Sequence, residues 1–427
     1  MHILWIKTEF LHPVDKGGRI RTYQMLRALK RDHRVTYLTL DDGSAAPDAA
    51  ERATEYCHKV ERVPFAPPAK GSGAFWLDLA RNAVSPLPYA VARYRSAALR
   101  ERISALCARG DVDVVVCDFL APSLNVPDGL GVPTVLFQHN VEAMIWERHA
   151  QVASHPVKRA YMREQWRRML RHERAECRRF DRVIAVSPQD AEVFSRDFGL
   201  GDVSHVPTGV DTEFFSPSGN EPRQPRELVF TGSMDWMPNE DAMKWFAADI
   251  LPLIQERVPD VTVTVVGRNP PASVRALADS HPAIRVTGSV PDVRPYIERA
   301  AAFIVPIRVG GGTRLKIFEA MAMELPVIST AIGAEGLPVR DGVDAILADE
   351  PRAFADAVAD LLEDPARAER IGQAAAAAVR AEYGWDGVAA RFADICKRVA
   401  DSRDAARPET SRTASTDAPA LTLPASS

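Results

Sequence analysis

Residues 310–330, Gly-Gly-Gly-Thr-Arg-Leu-Lys-Ile-Phe-Glu-Ala-Met-Ala-Met-Glu-Leu-Pro-Val-Ile-Ser-Thr, carry the pattern on which the fold reading turns. The apolar run Ala301 to Pro306 before them reads as a buried strand, and Val327 to Ser329 as another. Between the two, Thr313 to Met323 has apolar residues at Leu315, Phe318 and Met321 or Ala322, the spacing of a helix face. Strand, glycine loop, helix and strand in that order build a parallel sheet covered by helices. Gly310, Gly311 and Gly312 let backbone N–H groups approach a ligand closely, and a helix N-terminus favours negative charge. Arg314 and Lys316 set two cations against a helix dipole that would itself prefer acids there, which predicts an anion at this turn. Glu319, five residues beyond Arg314, adds a carboxylate able to accept hydrogen bonds from ligand hydroxyls. The plainer alternative is a glycine turn with both cations solvated.

Working outward, strand-like runs alternate with helical patterns through most of the chain. The first half has strands predicted at Ile3–Lys7, Val35–Leu40, Val112–Cys117, Thr134–Phe137 and Val183–Val186, with a helix at Arg19–Lys30. The second half has them at Leu228–Phe230, Val261–Val266, Ile284–Thr287, Phe303–Val305, Val327–Ser329 and Ala345–Leu347. The expected fold class is α/β, with two Rossmann-like, doubly wound domains facing each other across a deep cleft. The Pro- and Gly-rich segment from Gly201 to Pro225 suits the connection between them. Residues 1–205 are therefore predicted as the first domain and 206–384 as the second. A last helix is predicted over 385–401, returning to the first domain, and the Ala-, Ser-, Thr- and Pro-rich segment 402–427 as a disordered tail. The cleft at the carboxyl ends of the strands is the expected ligand site.

At 427 residues the chain is long enough for two cores, and its charged fraction of 26% is ordinary for a globular protein. Five cysteines stand apart without a C-x-x-C or Cys/His cluster, which argues for a reducing compartment and against structural zinc. No apolar run reaches the ~18 residues of a spanning helix and no signal-peptide layout is present, so a cytoplasmic location is expected. Charge is divided unevenly: residues 1–200 hold 30 Lys and Arg against 24 Asp and Glu, the remainder 23 against 33. Lys158 to Arg182 alone carries 10 basic and 4 acidic residues. Such a helical stretch suits peripheral contact with anionic lipid at the inner face of the plasma membrane, mostly electrostatic because its apolar residues form no wide stripe; a solvated helix face is the alternative. Nucleic-acid binding is disfavoured by the acidic total and the lack of interleaved aromatic residues.

Other strand ends carry candidate ligand groups. Gly17 and Gly18, between the first strand and first helix, suit a phosphate, though the loop does not match G-x-G-x-x-G. Gln138, His139 and Asn140 follow a strand and point to the proposed cleft, with Asp118 a weaker candidate nearby. Gly232 ends the first strand of the second half, Arg268 follows the next and is placed to meet a base or phosphate, and Gly288 closes the one after. No metal-ligand cluster is seen, so no metal site is predicted.

Together these positions resemble the retaining family 4 glycosyltransferases (glycosyl transferases group 1) of GT-B fold. The residues carrying the likeness are Gly17-Gly18, Gln138-His139-Asn140, Ala185-Val186-Ser187, Pro207-Thr208-Gly209-Val210-Asp211, Val266-Gly267 and Glu319-Ala320-Met321-Ala322 with Pro326-Val327. The stretch Thr231 to Trp236 is similar to bacterial sugar transferases of exopolysaccharide biosynthesis. The resemblance implies a hexosyltransferase moving a sugar from a nucleotide-diphospho-sugar to a glycan, lipid-linked glycan or small molecule. It also implies retention of configuration and no obligatory cofactor or metal. Arg314 and Lys316, with the amides of Gly17 and Gly18, would neutralise the leaving diphosphate; Glu319 would hold the ribose. His139 would contact the donor sugar at the reacting centre, and the amides of Gly310, Gly311, Gly312 and Thr313 would hold sugar and phosphate. Two departures stand out: Gly311 occupies the position of the family's first glutamate, and the arginine and lysine expected after Gly232 are absent, with only a displaced Lys244. The first keeps a catalytically silent nucleotide-sugar binder in play, and a nucleotide-sugar epimerase of the same architecture is the other alternative.

Overall fold

The structure, a computed structural model, describes residues 1–14, 17–152, 155–309 and 314–406. The first half forms a seven-stranded sheet of order β3-β2-β1-β4-β5-β6-β7, every pairing parallel. Its strands are β1 (His2–Lys7), β2 (Arg34–Asp41), β3 (Lys59–Pro64), β4 (Val114–Asp118), β5 (Thr134–Phe137), β6 (Arg182–Ala185) and β7 (Val203–His205). The second half forms a parallel six-stranded sheet of order β10-β9-β8-β11-β12-β13. These are β8 (Glu227–Thr231), β9 (Thr262–Val266), β10 (Ile284–Gly288), β11 (Ala302–Val305), β12 (Val327–Ser329) and β13 (Ile346–Leu347). β1, β4, β8 and β11 are buried along their whole length because helices cover both faces, which explains their near-continuous apolar sequences. Each sheet reverses its winding direction once, at β1/β4 and at β8/β11. A crevice opens at such a point because successive crossovers leave on opposite faces.

The helices that matter below are α1 (Gly17–Asp32), α2 (Gly73–Ala83), α3 (Glu142–Val152), α4 (Pro156–Arg179), α5 (Met237–Trp245), α6 (Leu315–Ala322) and α7 (Trp385–Ala406). α1 begins at Gly17, so the glycine pair forms its first turn rather than the preceding loop. α7 lies on α1 and places Phe392 against Trp5 and Phe137, with centroids 5.4 and 5.1 Å apart. The last helix is thus part of the first domain's core although the second domain precedes it. It runs to Ala406, past the predicted start of the tail at 402; residues 407–427 lie outside the described residues. Where the chain crosses between domains, Val210 bridges Gly384 and the Trp385 ring closes over Gly209. A Cβ at Gly209 would stand 2.6 Å from that ring, so the crossing is packed through a position only glycine fits.

β3 and β7 were not expected from the sequence. Both are edge strands, where hydrogen bonding to one neighbour is enough and the apolar signal is weak. Lys-Val-Glu-Arg-Val-Pro in β3 buries only Val63, and β7 is three residues long.

Candidate active site

On the first domain's side, the carboxyl ends of β1 and β4 converge on Asp118. Its Oδ2 accepts from Lys7 Nζ at 2.9 Å, Thr22 Oγ1 at 2.6 Å and Trp5 Nε1 at 3.0 Å. Its Oδ1 lies 2.7 Å from His139 Nε2, and all these side chains are buried. Burial opposes ionisation of Asp118, yet Lys7 and His139 outweigh it and hold the carboxyl well below its usual range. His139 moves down to about 3, burial being the main cause and Asp118 the opposing one. It is therefore a neutral imidazole at physiological pH. With Nε2 turned to Asp118, its Nδ1 has no hydrogen-bond partner among the described residues.

Phe119 stacks on His139 at a centroid distance of 3.8 Å, and Lys7 Nζ lies 4.3 Å from the same ring centroid. This requires a φ of +72° at a bulky residue, a strained conformation costing roughly 1–3 kcal/mol. It also requires glycine at position 18, where a Cβ would stand 3.0 Å from the Phe119 ring. Gly18 is thus a packing partner of the His139 platform.

The polar trio divides. His139 and Asn140 line a cleft cavity of about 180 Å³, but Gln138 turns into the core and donates to Glu173 Oε1 at 3.0 Å. This corrects the expectation that all three face the cleft. Glu173 also accepts from the amides of Glu142 and Ala143 at 2.9 and 2.8 Å, so it caps the start of α3 from α4. Burial pushes Glu173 up to about 8 against those backbone bonds.

On the second domain's side the centre is Lys316. Its Nζ donates to Asn239 Oδ1 at 2.9 Å and sits 4.0 Å from the Phe230 ring centroid, beside Gly232. A Cβ at Gly232 would stand 2.7 Å from both Lys316 Nζ and Asn239 Nδ2. Gly267 is more demanding still, since a Cβ there would fall 1.6 Å from the Gly232 carbonyl oxygen. The two glycines bring β8 and β9 together under the lysine. Burial pushes Lys316 down to about 7, helped by Arg314 and opposed by Glu319. Burial pushes Glu319 up to about 7, with Lys316 pulling it back. Arg314 occupies the N-cap of α6, buried, with its guanidinium carbon 5.0 Å from the Trp236 ring centroid.

The halves meet through Glu335 and Gly336, which line the same cavity as Arg21, His139, Asn140, Arg148 and Asp190. The Glu335 charge acts on Arg314 from one side and on Asp190 from the other. Arg21 of α1 is pushed down to about 10, by burial chiefly, and its Nε is buried with no hydrogen-bond partner among the described residues. Of the predicted ligand groups, then, His139 stands on one wall, Arg314, Lys316, Glu319 and Gly232 on the other, with Gly17 and Gly18 at the start of α1. Arg268 is exposed and donates to Ser233 Oγ at 2.8 Å, next to Gly232, so it braces the loop after β8 on this same wall. Lys244 pairs with Glu240 on the α5 surface. Gly310, Gly311, Gly312 and Thr313 lie outside the described residues. Sequence reading missed Lys7, Thr22, Arg21, Asp190 and Glu335, which stand in no local motif and meet only through the fold.

Two family models match: residues 16–214 fit "Glycosyltransferase Family 4" and residues 225–364 fit "Glycosyl transferases group 1". The chain belongs to this family. Its fold is GT-B, shared with the sucrose-phosphate synthase of Thermosynechococcus elongatus (TM-score 0.63, 18% identity, 94% of this chain and 100% of that one). Anabaena Alr3699/HepE in complex with UDP-glucose gives a TM-score of 0.62 at 14% identity, over 93% and 100% of the two chains. Among curated relatives, a phosphatidyl-myo-inositol mannosyltransferase of Mycobacterium tuberculosis is 29% identical over 47% of this chain and 55% of its own. A GDP-mannose-dependent alpha-(1-6)-phosphatidylinositol monomannoside mannosyltransferase of Mycolicibacterium smegmatis is 28% identical over 53% and 64%. The chain thus spans somewhat over half the length of these relatives. Among the described residues, no helix is long and apolar enough to cross a membrane and no group of three or more His, Cys, Asp and Glu is placed to hold a metal ion.

Proposed function

We propose that this protein transfers a sugar from a nucleotide-diphospho-sugar to a hydroxyl-bearing acceptor, with retention of configuration. The observation that carries the proposal is Lys316, largely desolvated at the carboxyl ends of β8 and β9 and beside buried Arg314. A diphosphate leaving group develops charge as the glycosidic bond breaks, and fixed cations in a dry cleft stabilise that charge in the transition state. Lys316 and Arg314 take this duty, which gives the diphosphate its counter-charge without a metal ion. Glu319, on the same face of α6, receives the donor's hydroxyls. Neutral His139, anchored through Nε2 by Asp118, accepts at Nδ1 from a hydroxyl of the donor sugar. The departing phosphate oxygen takes the acceptor's proton on the face it has just left. Arg21, Arg148 and Asp190 give the acceptor side both signs of charge, which suits a polyol, a glycan or a lipid-linked glycan carrying phosphate. The relatives' mannosyltransferase names favour the same acceptor class.

The test is a screen of UDP- and GDP-linked sugars for stabilisation of the protein, then for hydrolysis and for transfer to polyol and glycan acceptors. One donor is expected to bind and turn over, with transfer outrunning hydrolysis. Donor isomerisation without an acceptor would instead assign an epimerase, and tight binding with no turnover a silent binder.

Donor affinity carries a pH signature. Lys316 in the free site is lowered from 10.5 to about 7, so above pH 7 the site holds a neutral amine, whereas the bound diphosphate favours the ammonium. Affinity is then full below pH 7 and falls above it by up to about tenfold per pH unit, the limit for one linked proton. Calorimetric titration with the donor from pH 6 to 9 checks this; a flat profile, or the same slope in Lys316→Met, would contradict the assignment.

A further inference from the structure

Glu335 is exposed in the turn over 331–336 that follows β12, and among the described residues its carboxylate makes no hydrogen bond or ion pair. The turn that carries it is nevertheless fixed. Thr330 Oγ1 donates to the Ile307 carbonyl and accepts from the Gly333 amide at 2.8 Å, and the Ala334 amide donates to the Thr330 carbonyl at 3.0 Å. Gly333 lies so close to the ends of β11 and β12 that a Cβ there would stand 2.4 Å from Ser329 Oγ and 2.8 Å from the Val305 carbonyl oxygen. Ala334 and Leu337 are buried on either side of Glu335, and Gly336 turns the chain at a φ of +78°. A rigid seat under an exposed, unpartnered carboxylate makes a preorganised binding group, ordered before any ligand arrives.

Its place in the cleft narrows what it can meet. Glu335 lines the cavity that His139 and Asn140 line from the first domain, and among the described residues it is the one carboxylate of the second domain there. Its charge reaches Arg314 on one side and Asp190 on the other. In the proposed reaction Arg314 holds the diphosphate and Asp190 belongs to the acceptor wall. The group that must lie between diphosphate and acceptor is the sugar in transit. Direct contact of Glu335 with phosphate is opposed by like charge. Sugar hydroxyls suit it, because an ionised carboxylate only accepts and its two oxygens can take two hydroxyls at once.

Strand register points the same way independently. Val305 of β11 pairs with Ser329 of β12 in parallel. Gly311 and Glu335 each stand six residues beyond those partners, after neighbouring strands about 4.8 Å apart. Gly311 is where the sequence lacks the family's first glutamate. A carboxylate missing after one strand is present at the equivalent step after the next. We propose that Glu335 binds hydroxyls of the donor's sugar across the cleft from His139, supplying from the turn after β12 the carboxylate that position 311 lacks. This rests on the sugar-transfer reading of the cleft and adds a selection to it. Donors with free hydroxyls on adjacent ring carbons are favoured, and the nucleotide half of the donor is left to other groups.

The experiment is calorimetric titration of the full chain with UDP-glucose and GDP-mannose, beside UDP and GDP. The unaltered chain is expected to bind one of the two sugar nucleotides. In Glu335→Gln that affinity should fall by at least about tenfold, the scale for losing hydrogen bonds to a charged group. The free diphosphate of the same base should bind as tightly or more tightly, because a negative charge near Arg314 is gone. Glu335 is exposed, so the melting temperature should stay at that of the unaltered chain. Adding Gly311→Glu to Glu335→Gln is expected to recover most of the lost affinity. Equal weakening of sugar nucleotide and free diphosphate, or weakening of neither, would overturn the assignment while leaving sugar transfer standing. So would a Gly311→Glu, Glu335→Gln chain that recovers nothing. If the unaltered chain bound neither sugar nucleotide, the transfer reading would fail and this role for Glu335 with it.

Discussion

Replacing Lys316 with Ala is expected to lower turnover by roughly 10²–10³-fold, the range seen when one preorganised group facing developing negative charge is removed. The loss should fall mainly on kcat, because charge on the leaving diphosphate grows as its bond to the sugar breaks. Stability should move the other way or not at all. The side chain is held in a desolvated position, which pushes its pKa down, and among the described residues its Nζ donates to Asn239. A cleft that is costly to keep charged before the donor arrives is a familiar exchange of stability for activity. Steady-state kinetics beside a melting curve check both halves. A variant that loses activity only because it unfolds at a markedly lower temperature would contradict this role for Lys316.

The second large effect is structural. Asp118 is the common acceptor for Lys7, Thr22 and Trp5 and the neighbour of His139, all in the core. Asp118→Ala leaves the Lys7 ammonium buried without its carboxylate, a change expected to cost about 3–5 kcal/mol. For a domain of this size that lowers the melting temperature by roughly 10 °C. Adding Lys7→Met removes the stranded charge and is expected to recover most of that loss, since apolar replacement of a buried pair is often near neutral. Activity should not return with stability, because His139 has lost the group that orients it. Thermal unfolding of the single and double variants tests this; a double variant no more stable than Asp118→Ala would show that the ion pair is not what holds the cluster.

The sequence makes the interior of each sheet readable, and the reason is burial. β1, β4, β8 and β11 are covered on both faces and appear as unbroken apolar runs, so their positions follow from hydrophobicity alone. The edge strands β3 and β7 escape because a half-exposed strand of three to six residues has little apolar signal. The site is legible in proportion to how local it is. Arg314, Lys316 and Glu319 share one helix start, and their mutual position follows from helical spacing. Lys7 and Asp118 lie 111 residues apart, and only adjacency of β1 and β4 joins them. Gln138 illustrates the opposite failure: its place at a strand end suggested the cleft, but the amides at the start of α3 draw Glu173 inward and Gln138 follows it. Phe119 shows a third kind, since nothing in the sequence signals a left-handed phenylalanine that only the gap at Gly18 makes room for. The lysine expected after Gly232 proves instructive too. Lys244 sits on the surface, while Lys316 reaches from α6 to the space beside Gly232.

The account's central claim is that this cleft moves a sugar with its configuration kept, the diphosphate held by Lys316 and Arg314. Proton NMR of the reaction while it runs tests that claim most directly, with an α-linked UDP- or GDP-sugar as donor and the anomeric signal of the first product observed before mutarotation. The account predicts an α-anomeric product that forms at least about a hundredfold more slowly in Lys316→Ala. A β-anomeric first product, or an unchanged rate in that variant, would contradict it.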